Sequence, residues 1–215
     1  MNVLALDTAS PRPAVALSSA GRLFEEPLPA ERRASEELLP ALRRVLAAAG
    51  VSLEACDRVG VCAGPGSFTG LRVGLATGWG FGRARGIAVE AVSTLEAMAE
   101  AARGQGSNTV VAVLDAGRGD VVAQRFDLAP PRARALGPAV LRTPANLGDF
   151  AGEDRVVSLP EDLIQPRSAL LASSVAAALA TAMARAPRQG EGDSRMPLGA
   201  IYARPSAAEE KHGAA

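Results

Sequence analysis

The sequence predicts an α/β protein of two related lobes, each a mixed sheet with helices laid against it, the second lobe degenerate. Three observations lead there. Three strand-like runs joined by tight connections open the chain and give way to alternating helices and strands. The opening pattern Val3-Leu4-Ala5-Leu6-Asp7 then returns as Val111-Ala112-Val113-Leu114-Asp115. Between the copies, Gly104-Gln105-Gly106-Ser107-Asn108 reads as a linker, which puts one lobe over 1–103 and a smaller one over 108–215.

In chain order, Val3–Leu6 is a short buried strand ending at Asp7, and Thr8-Ala9-Ser10-Pro11 turns the chain. Ala14–Ser18 and Leu23–Glu26 are the next strands, the latter ended by Pro27 and Pro29, and together the three predict an antiparallel meander. Ser35–Ala49 is a helix: Leu38, Leu39, Leu42, Val45, Leu46 and Ala49 make an apolar stripe, Ser35 is the expected cap, and Gly50 stops it. Val59-Gly60-Val61-Cys62 is a strand that stops at Gly64-Pro65-Gly66. Ser67 or Thr69 then caps a helix from about Gly70, in which Gly70, Gly74, Gly78 and Gly82 recur every fourth residue and share one stripe. Each glycine costs a helix about 1 kcal/mol relative to alanine. Such a stripe serves either close packing of helix on sheet or the approach of a partner. After Val92, Thr94 opens a helix to about Arg103. In the second lobe, Asp120–Asp127, Ala139–Leu141 and Arg155–Leu159 read as strands, with helices near Ala145–Phe150 and over Ser168–Arg185. From about 186 the chain reads as a flexible tail. By fold analogy, the element order of each lobe is that of the ribonuclease H-like half-domain of actin and the sugar kinases, which says nothing of activity.

Composition narrows the function classes. With 215 residues, 48% of them hydrophobic and 3% aromatic, the chain affords a sizeable core packed mainly with Leu, Val and Ala. Its formal net charge of +0 argues against gripping nucleic acid alone through a broad basic face. Cys56 and Cys62 lack zinc-site or CxxC spacing and are expected to be reduced, buried thiols. No apolar run approaches a membrane span and Met1 leads directly into a strand, so a cytoplasmic protein is expected.

The glycine loop is not a known phosphate loop. Thr69 stands five residues after Gly64 with no Gly-Lys-Ser/Thr following, and Gly70 comes one position late for the dinucleotide pattern. Asp7 and Asp115, at the ends of matching strands, are expected to cap turns. The alternative is that they face a nucleotide phosphate and its magnesium, as in a free-standing actin-like ATPase or kinase. Carboxylates for a two-metal nuclease are not in register. His212 is the only histidine and lies in the tail, so a histidine metal site, a Ser-His-Asp triad and a Cys-His pair all lack their imidazole on an ordered element.

The string Gly64-Pro65-Gly66-Ser67-Phe68-Thr69-Gly70-Leu71-Arg72-Val73-Gly74 closely resembles the signature of the TsaB (YeaZ) family, whose members help make N6-threonylcarbamoyladenosine at position 37 of tRNA. Leu4–Ala9, Arg33–Pro40, Val92-Ser93-Thr94-Leu95, Asp115–Val121, Tyr202 and Arg204 are similar to further family segments, whereas Asn146–Arg195 carries no such match. Ala34 stands where the family often has histidine, and Ala200 where proline is usual. The resemblance implies an actin-like (ASKHA) fold and an accessory subunit with no catalytic residues, no metal and no cofactor of its own; older labels of the superfamily say glycoprotease. It implies binding to the catalytic paralogue TsaD, with the ATPase TsaE joining the complex, tRNA engaged indirectly and a homodimer when alone. ATP or ADP with magnesium would belong to the complex interface, with Asp7, Thr8 and Asp115 as a vestigial nucleotide site. The docking surface it implies runs over the two helices carrying Leu38, Leu42, Leu46, Gly70, Gly74 and Gly78.

Overall fold

The computed structural model describes residues 1–29, 32–160, 168–169, 174–186 and 200–201. Among these, the first sheet has five strands in the order β3-β2-β1-β4-β5: β1 (Asn2–Asp7), β2 (Ala14–Ser19), β3 (Arg22–Pro27), β4 (Arg58–Cys62) and β5 (Ala88–Val92). The meander β1-β2-β3 is antiparallel, while β4 and β5 run parallel to β1. The second sheet orders β11 (Ser168–Ala169), β10 (Arg155–Leu159), β6 (Thr109–Gly117), β7 (Asp120–Asp127) and β8 (Arg134–Ala135), with β9 (Val140–Arg142) also on β7. Here β6 and β7 are antiparallel and β10 runs parallel to β6, repeating the start of the first sheet. Asp7 and Asp115 thus sit on the first strands of two separate sheets, as the two-lobed actin-like fold requires.

Helices cover three layers. Strand β1 is buried on both faces because alternate residues go to different cores. Leu4 and Leu6 pack under α1 (Ala34–Ala49) and α2 (Phe68–Arg85) on the outside of the first sheet. Val3 and Ala5 face inward, into a core shared with α3 (Thr94–Ala101), α5 (Val175–Arg185) and the second sheet's Val110, Leu114, Phe126 and Val157. That α5 lies on the first sheet is made possible by Gly60, where a Cβ would come 2.3 Å from Met183 Sδ. The outer face of the second sheet is covered by the short α4 (Leu147–Ala151).

Several expected boundaries shift. Helix α1 starts at Ala34, with Arg33 as its N-cap and no side-chain capping bond, so Ser35 lies inside the first turn and caps nothing. Helix α2 starts at Phe68, α3 stops at Ala101, and the last helix begins at Val175, capped by Ser174 Oγ, with Ser168–Ala169 paired as a strand instead. The segment expected as a tail, from 187 on, falls outside the described residues except for Ala200–Ile201, so Tyr202, Arg204, Lys211 and His212 are not placed.

Candidate functional site

The turn after β1 is the bed on which the glycine loop rests. Asp7, fully buried, accepts the N–H groups of Ala9 and Ser10 at 3.0 Å each, and Ser10 Oγ donates to its other oxygen. Burial pushes this carboxyl above the ordinary aspartate range, against the pull of the Ser10 and Ala9 hydrogen bonds. Thr8, also buried, donates through Oγ1 to the Gly70 carbonyl at 2.7 Å. Ser67 N–H donates to the Ala9 carbonyl at 2.8 Å, and Ser67 Oγ accepts the Gly70 N–H, which caps α2.

The glycines are where these contacts leave no room for a side chain. A Cβ on Gly66 would lie 2.3 Å from Ala9 O, one on Gly70 would lie 1.8 Å from Thr8 O, and one on Gly74 would lie 2.4 Å from Thr8 Oγ1. Backbone meets backbone here, and the first two turns of α2 are pressed onto the end of β1.

The opposite face of α2 is open. Phe68, Arg72, Ala76, Trp79 and Arg83 are exposed at helical spacing, Phe68 by 44% and Trp79 by 40%. The Arg72 guanidinium stacks 3.8 Å from the centre of the Phe68 ring. Alongside, α1 packs against α2 and presents Leu39, 49% exposed. Where the two helices begin, Thr8, Ser10, Arg32, Arg33, Ser35 and Thr69 border a cavity of about 390 Å³.

A buried charge cluster ties the lobes together. Arg132, from the loop after β7, donates to Glu90 of β5 at 2.6 Å and to Glu96 of α3 at 2.8 Å. Glu100 of α3 accepts the Ala133 N–H at 2.5 Å, is paired with Arg103, and accepts Arg185 of α5 at 2.7 Å. Burial alone would raise the Glu100 carboxyl, but the bonds from Arg103 and Ala133 and the charges of Arg103 and Arg185 hold it below the usual glutamate range. Among the described residues, no group of three His, Cys, Asp or Glu side chains is positioned to hold a metal ion, and no helix is long and apolar enough to cross a membrane.

The chain matches the model of a family described as TsaD: tRNA N6-adenosine threonylcarbamoyltransferase over residues 26–199. It is 34% identical over 122 residues to the tRNA threonylcarbamoyladenosine biosynthesis protein TsaB of Escherichia coli, covering 56% of this chain and 53% of that protein. The Haemophilus influenzae protein of the same name is 35% identical over 122 residues, 56% of this chain and 52% of that one. Matching YeaZ from Pseudomonas aeruginosa, the fold superposes with a TM-score of 0.74 at 28% identity, over 93% of this chain and 99% of that one. The chain belongs to this family, on its TsaB (YeaZ) branch. In sequence the match spans about half the length of each of these two curated relatives.

In this TsaB-family chain the predicted site residues do not form one site. Asp7 and Thr8 are spent on their own turn and on Gly70, while Asp115 is exposed and accepts the Gly117 N–H of its own hairpin at 2.7 Å. The expected stripe of Gly70, Gly74 and Gly78 is buried on the inner face of α2, so the glycines do not present a bare helix surface. Leu38 and Leu42 likewise lie in the core beneath α1, with Leu46 partly buried against it. Of the signature loop, Gly64 and Pro65 are buried, and Gly66, Ser67, Phe68 and Thr69 are exposed. The exposed Leu39, Arg72 and Trp79 went unpredicted. Their signal was in the sequence: α2 carries Phe68, Trp79 and Phe81 in excess of what one apolar stripe needs, in a chain with 3% aromatic residues.

Proposed function

We propose that this chain is a non-catalytic, complex-forming subunit for N6-threonylcarbamoyladenosine modification of tRNA position 37, and that it acts by docking a TsaD-like catalytic paralogue on the outer face of α1 and α2. The family membership supports the pathway. The observation that carries the docking face is the open stripe Phe68–Arg72–Trp79 beside Leu39: the chain's single tryptophan stands on the surface. Exposed aromatics flanked by arginines are what hot spots of protein interfaces are made of. A TsaE-like ATPase and the tRNA would join through the complex, and a second copy of this chain would occupy the face when the paralogue is absent.

The second reading, a free-standing actin-like ATPase, needs Asp7 and Asp115 turned to a nucleotide. Asp7 is instead sealed in its turn, and α3 and α5 fill the space between the sheets. Copurification with the TsaD-like paralogue of the same organism tests the first reading. Trp79→Glu is expected to remain folded and to lose the partner, because Trp79 is 40% exposed and belongs to none of the three buried cores. A folded Trp79→Glu protein that binds at wild-type affinity would move the docking face elsewhere. Calorimetric titration with Mg-ATP tests the second reading, and tight binding by the lone chain would favour it.

A further inference from the structure

The glycine loop is held at four points, the first where Ala63 N–H donates to the Val92 carbonyl of β5 at 2.8 Å. Its Ser67 N–H is tied to Ala9 of the β1 turn, and its Gly64 carbonyl accepts the Thr94 N–H at the start of α3, 2.7 Å away. The fourth point comes from far along the chain: Ile201 N–H donates to the Ala63 carbonyl at 2.6 Å. Ala200 packs against the outer core of the first sheet, on the side of α1 and α2. Gly64 is shaped to this contact. Its φ of 109° is one that L side chains rarely adopt, and a Cβ there would lie 2.0 Å from the Ile201 carbonyl oxygen. The carbonyl of Ile201 therefore rests directly over the Cα of Gly64, with its N–H bonded one residue earlier. A single segment both donates to the end of β4 and occupies the space that a side chain at 64 would need.

We infer that the segment at Ala200–Ile201 is a latch that closes over the Ala63–Gly64 backbone and fixes the glycine loop, and with it the first turn of α2. The latch explains why the loop's first glycine is required on a side that no other element covers so closely. It also ties the pitch of α2, and so the placement of Phe68 and Arg72, to a segment that lies beyond α5. With the latch released, the loop keeps its ties to Ala9, Thr94 and Val92. The turn from Gly64 to Ser67 then opens more often, while the second sheet is unaffected.

Amide exchange of the full chain, followed residue by residue by NMR, tests this without any partner, so its failure would leave the docking face of α1 and α2 standing. In the wild type the Ile201 amide is expected to be protected; exchange at the free-peptide rate would overturn the latch. Ile201→Pro removes the donated N–H. It is expected to speed exchange of the Ser67 and Thr94 amides by about tenfold or more, leaving Val111 and Val122 unchanged, as local opening does. A chain ended after Gly199 should reproduce the effect. Exchange at Ser67 and Thr94 within about twofold of wild type in the Ile201→Pro protein would refute the inference. Ended chain and point variant check each other, since the first removes the segment whole and the second removes one hydrogen bond.

Discussion

The same substitution, glycine to alanine, should change sign along one helix. In an exposed helix interior this change stabilises by about 1 kcal/mol, because alanine restricts the unfolded chain and hides backbone. At Gly80 nothing lies within 4 Å of the added Cβ, so the full gain is expected. At Gly70 the Cβ would arrive 1.8 Å from the Thr8 carbonyl oxygen, a backbone atom that has no rotamer to retreat into. Helix and β1 turn must separate, which costs about 1–3 kcal/mol as overpacking. The Thr8–Gly70 hydrogen bond is lost with them, another 1 kcal/mol or so. Set against the helix gain, Gly70→Ala is a net loss of about 1–3 kcal/mol. Gly74→Ala should fall between the two, since its clash is with the Thr8 hydroxyl and not with backbone. Urea denaturation followed by circular dichroism reads all three variants on one scale, and a shift of 1 kcal/mol moves the melting point by about 2–4 °C at this chain size. A Gly70→Ala protein as stable as Gly80→Ala would mean that the glycine face of α2 does not rest on Thr8.

Arg132→Met should cost about 3 kcal/mol at neutral pH, because it takes the shared guanidinium from buried Glu96 and leaves Glu90 with its longer contact to Arg58, at 3.5 Å; denaturant midpoints measure it, and a loss under about 1 kcal/mol would count against the cluster. Glu100, with its carboxyl held below the ordinary value, contributes stability above that value and loses it as pH falls through the folded one. Glu100→Gln is therefore expected to be weaker than wild type at neutral pH and to converge with it in acid, as paired melts across that range would show. Burial pushes the Cys56 thiol up to about 11 and the Cys62 thiol well above its ordinary range, so neither should react with a thiol reagent at neutral pH until the protein is denatured.

Most of the first sheet was legible because each strand obeys a local rule. The meander followed from turns at Thr8–Pro11 and Ala20–Gly21, and parallel β4 and β5 followed from the helices between them. What the sequence could not carry was direction. A glycine every fourth residue announces a close approach without saying of what, and the answer, Thr8, lies sixty-two residues earlier. The leucines of α1 carry the same ambiguity: Leu38, Leu39 and Leu42 belong to one apolar stripe, yet Leu38 and Leu42 pack on the sheet while Leu39, at the stripe's edge, is left open. Ser35 looked like a cap by type, yet α1 begins one residue before it and closes its first turn on the Arg33 carbonyl alone. The short β11 escaped because two residues give no periodicity, and the stretch 168–173, with its Leu and Ala, runs into the alanine-rich segment after Ser174 and reads as helix by propensity with it.

The shared inner core has a mechanical consequence for a two-lobed fold. Helix α3 follows the last strand of the first sheet yet packs on β6 and α5, and α5 in turn lies on β1 and β2. Each lobe thus covers its inner face partly with a helix that the other lobe also needs. Parting the sheets would expose Leu95, Met98, Leu179 and Met183, all essentially inaccessible. At about 1.5–3 kcal/mol for each fully buried side chain of this kind, those four alone amount to roughly 6–12 kcal/mol. That is on the scale of a whole domain's stability of about 5–15 kcal/mol, before the Arg132 and Glu100 ion pairs are broken. Complete separation of the two sheets is therefore on the scale of unfolding. Leu39, Phe68 and Trp79 on α1 and α2 are already accessible on the outside, so contact with a partner there needs no parting of the sheets.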